Sequence, residues 1–464
     1  MVAYLMYGGI LLYANKILVR GSTMFTKKDL VKLIIPLIIE QILAVAVGMA
    51  DGMMVARVGE AAVSGVSLVD SINVLLIGLF AALATGGAVV TSQYLGRKDS
   101  ENASASAEQL IASTMALSIV IMVFTLLLRG QILRLLFGHV EIDVMGYSLT
   151  YMFWTALSFP FLALYNASAA LFRSMGNSKV SMIVSLIMNV MNVVGNAILI
   201  FGFNMGVAGA AISTLIARVF ASITLLILLK GGKTVIQLGS LKNFRINTTL
   251  VRRILRIGVP NGLENSVFQV GKLLVQGIIA GLGTSAITAN AIAGNIGGLG
   301  VLPGSAMGLA LITVVGQCIG AEDYDGVKYY TRKLLQATYA AMFVLNVLLI
   351  ILTPVILKLY NLTDNTAEIA AQLMRYHAVL AIFIWPTSFS LPNALRASND
   401  AKFTMVISMA SMWIWRIGFS IVLVKVFNMG VLGVWIAMTI DWLFRSICFV
   451  IRFRQEKYRT MSLD

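Results

Sequence analysis

Nine ionisable side chains stand inside long apolar runs of this 464-residue chain: Glu40, Asp51, Asp70, Arg218, Glu264, Lys272, Arg416, Asp441 and Arg445. A charge in apolar surroundings is costly unless it faces a cavity or a partner, so each is a candidate for function or for a structural ion pair. A carboxylate partly removed from water, such as Asp51, can alternate between holding a proton and ligating a cation. Asn192 and Asn196 are four residues apart, as are Thr214 and Arg218, and such pairs share one helical face. Glu40 and Glu264 each follow a proline by four residues, Pro36 and Pro260, and a proline inside a helix kinks it; both are candidates for binding a substrate or a proton in a cleft.

Pairing is the competing reading for most of these charges. Asp441 and Arg445, at i and i+4, are expected to form a structural ion pair, with Arg416 joining them. Arg218 is expected to pair with Asp70. Glu264 fits two roles equally: binding a cationic substrate or a proton, or pairing with Lys272 two turns along the same helix. Asp51 has an alternative as well, that of a hydrated carboxylate near the outer membrane face.

Catalytic chemistry finds no comparable support. His139 and His377 stand alone, and Cys318 and Cys448 are too few and too distant for a zinc site or a disulfide framework. The glycines at 294, 297, 298 and 300 lie within an apolar run and precede no Gly-Lys-Ser/Thr, so they do not form a phosphate loop. They suit close helix approach instead. Without an ATP-binding motif, transport through such a protein draws on an ion gradient or runs passively. The sequence is not expected to encode an enzyme.

The elements that must position these residues follow from composition. Hydrophobic residues make up 59% of the chain and charged residues 12%, with a mean hydropathy of +0.89. A soluble domain carries about a quarter of its residues as charges, so most of this surface must meet lipid. Runs of about 20 apolar residues mark spanning helices. Twelve are expected, at 31–55, 62–88, 110–128, 144–168, 180–202, 207–229, 254–281, 285–312, 334–357, 372–394, 403–425 and 431–451.

The net charge of +15 comes from basic clusters between the runs, such as Arg252, Arg253 and Arg256, which is the pattern of cytoplasmic loops and not of nucleic-acid binding. With the N-terminus inside, the cytoplasmic segments hold 23 Lys and Arg, and the opposite side holds six: Arg57, Arg129, Arg134, Lys358, Arg375 and Lys425. Both termini are therefore expected in the cytoplasm of a multi-pass cytoplasmic-membrane protein. Residues 1–23 lie outside this plan, since Val2–Ala14 is short for a span and no basic stretch precedes it. The segment lies at the interface or precedes the true start at Met24, and the second reading is the simpler.

The chain also repeats itself. At an offset of 224 residues Pro36 meets Pro260, Glu40 meets Glu264, and Gln93 and Gly96 meet Gln317 and Gly320. Phe203-Asn204-Met205-Gly206-Val207 recurs unchanged as Phe427-Asn428-Met429-Gly430-Val431. Polar and glycine matches held in one register mark a duplication, and an even number of spans per repeat gives both halves the same direction through the membrane. The expected fold is all-α and integral to the membrane, with twelve helices in two six-helix lobes related by a pseudo-two-fold axis along the membrane normal. The lobes occupy 27–229 and 254–451, flanked by an extension (1–26), a basic cytoplasmic linker (230–253) and a basic tail (452–464).

The repeated elements together resemble the multidrug and toxic compound extrusion (MATE) family, within the multidrug/oligosaccharidyl-lipid/polysaccharide flippase superfamily. The resemblance is carried by Gly48-Met49-Ala50-Asp51-Gly52-Met53-Met54-Val55-Ala56-Arg57-Val58-Gly59 and Gln93-Tyr94-Leu95-Gly96. Leu171-Phe172-Arg173-Ser174-Met175-Gly176-Asn177 and Gly202-Phe203-Asn204-Met205-Gly206-Val207-Ala208-Gly209 extend it, and together it covers 27–455. It implies a secondary antiporter that exports lipophilic, usually cationic compounds (multidrug or xenobiotic efflux) in exchange for H+ or Na+, with no other cofactor. Membrane lipids and small molecules are the implied partners of a monomer, and nucleic acid is not.

Residue by residue, the resemblance places coupling-ion binding at Asp51, Asn192, Asn196 and Thr214. Asn196 stands where the family usually has Asp, so Asp51 would have to titrate alone. Sodium-coupled relatives carry a glutamate and an aspartate where this chain has Phe268 and Trp385, an incomplete second site that tilts the reading towards H+. The alternative within the superfamily is a flippase or exporter of a lipid-linked or metabolic substrate, which a surface rich in Arg and Lys would favour. Arg218, Lys272 and Arg416 keep it open.

Overall fold

The fold was described from a computed structural model of the chain. It describes residues 24–460, except 139, 233, 240–243 and 361. The readings of 1–23, of His139, and of Lys233 and Lys242 in the linker therefore lie outside the described residues.

Among those residues the regular structure is entirely helical, and it falls into twelve rods. The first six are α1 (Lys27–Ala56), α2 (Glu60–Gly96), α3 (Ser100–Phe137), α4 (Ile142–Leu157 and Phe159–Ser174), α5 (Ser178–Gly202) and α6 (Gly206–Lys230). The second six are α7 (Thr248–Ala280), α8 (Thr284–Gly300 and Leu302–Gly320), α9 (Tyr324–Leu359), α10 (Asp364–Ala397), α11 (Ala401–Lys425) and α12 (Gly430–Arg454). Ten helices are long and apolar enough to cross a membrane, or 11 when bent α4 counts as one span. The rod α7 falls short of that apolarity because Arg252, Arg253, Arg256, Glu264 and Lys272 all lie on it. Large apolar side chains such as Leu127, Val344 and Ile351 stay exposed, as expected where the surrounding solvent is hydrocarbon.

The rods outrun the apolar segments of the sequence. The expected third span, 110–128, becomes a helix from Ser100 to Phe137, since a helix continues past the hydrocarbon wherever its backbone bonds remain closed. Two expectations are corrected: neither 144–168 nor 285–312 is one unbroken helix. The backbone breaks at Val301, two residues before Pro303, whose ring and missing N–H interrupt the ladder. The break in α4 has the same origin, with Pro160 two residues past Ser158 and a bend of 47°.

The duplication is written into the backbone as well as the sequence. Lys98 and Glu322 share a left-handed conformation (φ 61° and 56°), as do Asn204 and Asn428 (54° and 52°). Asp99 caps α3 by accepting from the Asn102 amide at 3.0 Å, and Asp323 caps α9 by accepting from Gly326 at 2.8 Å. All three pairs keep the 224-residue offset.

The chain packs as two compact units. One runs from Lys32 to Ser266, so the first half of α7 packs with the N-terminal helices. There Gly86 on α2 meets the α7 backbone: a Cβ on it would lie 2.9 Å from the Gly258 nitrogen. Buried hydroxyls cross-link neighbouring rods, Ser174 to the Ala88 carbonyl (3.1 Å) and Ser178 to the Leu33 carbonyl (2.6 Å). The linker runs along α3, held by Gln109, which donates to the Arg245 carbonyl (2.8 Å) and accepts from the Asn247 amide (3.2 Å). The other unit joins the stretch ending at Val31 to Val267–Asp464. In it the Tyr330 hydroxyl donates to the Phe25 carbonyl at 2.9 Å. Its core gathers Ala289, Leu373, Met412 and Trp435 from four rods.

Candidate functional site

In the unit of Lys32–Ser266, four polar side chains from α1, α5 and α6 converge. Asn196 Nδ2 donates to Asp51 Oδ1 at 2.6 Å, and Asn192 lies between Asp51 and Thr214. The i, i+4 spacing puts both asparagines on one face of α5, and they are buried while Asp51 is half-buried. The geometry therefore does not leave Asp51 as a freely hydrated end-of-helix carboxylate. Among the described residues Asp51 has no ion-pair partner. Asn196 Oδ1 is buried without a hydrogen-bond partner, a vacancy that costs about 1–3 kcal/mol unless a cation fills it.

The Asn192 amide is oriented by its neighbours: Nδ2 donates to Asp51 Oδ1 at 2.7 Å and Oδ1 accepts from Thr214 Oγ1 at 2.9 Å. Ser213 steadies the same turn by donating to the Asn192 carbonyl at 2.8 Å. Directly after Asn196 the helix widens into π-type winding over Ala197–Gly202, with Phe203 donating to the Ile198 carbonyl. Nothing in the local sequence signals that widening.

The remaining charges settle differently from expectation. Glu40, a sequence candidate for substrate or proton binding, is held by Arg173 (3.3 Å) and Ser181 (3.2 Å), which makes it a structural anchor between α1, α4 and α5. Its partner was missed because Arg173 reads as one more basic loop residue. Arg218 forms no ion pair with Asp70. Its guanidinium donates to Ser158 Oγ at 2.6 Å, at the broken turn of α4, while Asp70 accepts from Asn73 at 3.1 Å. The same hydroxyl donates to the Thr155 carbonyl at 2.7 Å, so it bridges the end of the first α4 segment to Arg218 on α6.

In the second unit Asp441 pairs with Arg416 (3.5 Å) and accepts from Ser411 (2.5 Å), and it does not pair with Arg445. The guanidinium of Arg445 lies over Phe389, 4.4 Å from the ring centroid, and donates to the Ser388 carbonyl at 3.4 Å. The i, i+4 spacing allowed the Asp441–Arg445 pair, but a neighbouring helix offered each partner something closer. Lys272 does not pair with Glu264 either. Its amine sits 5.1 Å from the Phe268 centroid. Glu264 itself is buried.

Twelve helical rods, ten or eleven of them long and apolar enough to cross a membrane, in two repeats and with a carboxylate held among amides, are the arrangement of a membrane transporter. The MatE family model matches this chain twice, over residues 36–198 and 260–422, and the chain belongs to that family. The two matches keep the same 224-residue offset.

Among its relatives, the uncharacterized transporter YisQ of Bacillus subtilis is 28% identical over 91% of this chain and 92% of its own length. The probable multidrug resistance protein NorM of Thermotoga maritima is 24% identical over 94% of both chains. The fold is also that of solved transporters. An outward-facing MATE multidrug transporter of the MOP superfamily superposes with a TM-score of 0.88 at 19% identity, covering 94% of this chain and 97% of that one. A MOP superfamily transporter from Pyrococcus furiosus, described as having a binding pocket of reverse polarity, superposes at 0.87 and 19% identity, with the same coverage.

Proposed function

We propose that this chain is a secondary active antiporter that exports lipophilic compounds, cationic ones among them, in exchange for H+ or Na+ by alternating access. It would act as a monomer in the cytoplasmic membrane with both termini inside. The observation that supports this is the Asp51 carboxyl, which has no ion-pair partner among the described residues and is touched by the Asn192 and Asn196 amides. A cation ligated by Asp51, Asn196 Oδ1 and the Asn192–Thr214 pair would satisfy the unpartnered amide oxygen, and a proton on Asp51 would be the alternative coupling ion. The relatives' description as multidrug resistance proteins supports export of unlike lipophilic compounds. The 24 methionines supply side chains adaptable enough for such a range.

Purified protein in proteoliposomes, given a pH gradient and a Na+ gradient separately, tests the proposal with ethidium as the transported dye. One gradient is expected to drive transport. Asp51→Asn, which keeps shape and removes the titrating charge, is expected to abolish driven transport with expression intact. Ethidium movement that proceeds equally fast with neither gradient would end the antiport reading.

A further inference from the structure

The C-terminal unit has the opposite polarity at its own interior. Two cations, Lys272 on α7 and Arg416 on α11, flank one aromatic ring: Lys272 Nζ is 5.1 Å and Arg416 Cζ 5.0 Å from the centroid of Phe268. The two charges are therefore no more than about 10 Å apart, close enough to repel strongly where water is scarce. The carboxylate beside Arg416 is already engaged. Asp441 gives one oxygen to Arg416 and the other to the Ser411 hydroxyl. Among the described residues, Lys272 has no hydrogen-bond or ion-pair partner.

The Lys272 side chain is exposed, so a ligand can reach it. It does not snorkel to the nearer end of α7, about 12 Å away at Ala280 by the 1.5 Å rise per residue. Its amine lies over Phe268, one turn in the other direction, and so points back along the span. An intramembrane lysine kept charged there requires a counter-ion that the described protein does not provide.

Beside it lies an aromatic surface. Phe268 meets Phe389 edge-on at 6.1 Å, and Phe389 stacks on Trp385 at 4.9 Å.

We propose that Lys272, Arg416 and Phe268 form a binding site for amphipathic organic anions, in which a carboxylate, sulfonate or phosphate meets the Lys272 amine, Arg416 adds positive field, and an apolar or aromatic body lies against Phe268. The anion supplies the missing counter-charge and relieves the repulsion across the ring. A free organic anion and the headgroup of an anionic lipid carry the same chemistry. As a transport site it rests on the export reading above, but as a binding site it stands alone.

The test is equilibrium binding to the whole protein in phosphatidylcholine nanodiscs, using naphthalenesulfonate and its cationic counterpart naphthyltrimethylammonium. Naphthalenesulfonate is expected to bind more tightly. Lys272→Gln is expected to weaken it about tenfold, the size of a charged hydrogen bond, with the cation unaffected and Lys272→Arg retaining affinity. Equal binding of the two probes by the wild type, or an unchanged affinity in Lys272→Gln, overturns the site. Displacement of the sulfonate by phosphatidylglycerol in the wild type but not in Lys272→Gln assigns the site to a lipid headgroup, and its absence assigns it to a free anion. Lost anion binding with gradient-driven dye transport intact overturns this site alone. Retained binding without driven transport overturns the export reading alone.

Discussion

Residues of one chemical type serve different ends here, and their partners decide which. Glu40 and Asp51 are carboxylates on the same helix, eleven positions apart in the sequence. Glu40 has a guanidinium at 3.3 Å, whereas Asp51 has an amide at 2.6 Å. A guanidinium brings an opposite charge to the carboxylate and fixes it, whereas an amide brings a hydrogen bond and no charge. Removing one member of a buried ion pair costs about 3–5 kcal/mol, whereas replacing both with apolar groups can be neutral. Arg173→Met is thus expected to lower the unfolding temperature in detergent more than the double variant Glu40→Leu/Arg173→Met. A double variant no more stable than Arg173→Met would show that the pair contributes only bulk. Asp51 was legible because it matches the acidic residue that the MATE resemblance places on the first helix. The sequence hid the Glu40–Arg173 pair, since 133 residues separate the partners and only packing joins them.

Helices in this protein are positioned by a few backbone-level devices used twice. The Asp99 and Asp323 caps start α3 and α9 at the same register in each half. Replacing such a cap with Ala costs about 1 kcal/mol. At Asp99, the Asn102 side chain and then its backbone amide hold the carboxyl below the usual range, against a smaller opposing effect of burial. Its folded-state pKa lies below the unfolded value of about 3.9, so the ionic part of the cap is complete above that pH and fades as pH falls towards the folded pKa. The stability gap between wild type and Asp99→Ala is therefore expected to be constant from pH 8 to about 5 and to narrow below about 4. A gap that widens on acidification would contradict this.

The α2–α7 crossing depends on Gly86 and Gly258, where backbones touch. Gly86→Ala is expected to destabilise by about 1–3 kcal/mol through overpacking, read as a lower melting temperature. Wild-type stability in that variant would mean that the crossing can open. The π-type turns, by contrast, break the repeat. Ala197–Gly202 follows Asn196, whereas in the second half the widened turn, Met412–Gly418, encloses Arg416. Their registers differ because widening responds to what packs against the turn.

For the molecule as a whole, the basic-residue bias makes a topological claim that labelling can check. Arg57 and Arg97 flank α2, so they lie on opposite sides of the membrane if α2 spans it. In intact cells and a Cys318→Ala/Cys448→Ser background, Arg57→Cys is expected to react with an impermeant maleimide. Arg97→Cys is expected to react only after permeabilisation. The reverse pattern would invert the orientation, and labelling of both from outside would remove α2 as a span.

The sequence by itself determined the class of fold, the twelve rods and the duplication. Each of these depends on local quantities: apolar length against membrane thickness, proline and glycine at fixed registers, and the polarity of loops. It also singled out Asp51, Asn192, Asn196 and Thr214, which the fold then brought together. Only the tertiary structure decided the partners of the other charges. Arg218 went to Ser158, Arg416 took Asp441, Arg445 lay over Phe389, and Lys272 turned to Phe268. The reason is geometric. Spacing along one helix says which side chains can meet, but the neighbouring helix supplies the competitor, and its distance is set by packing.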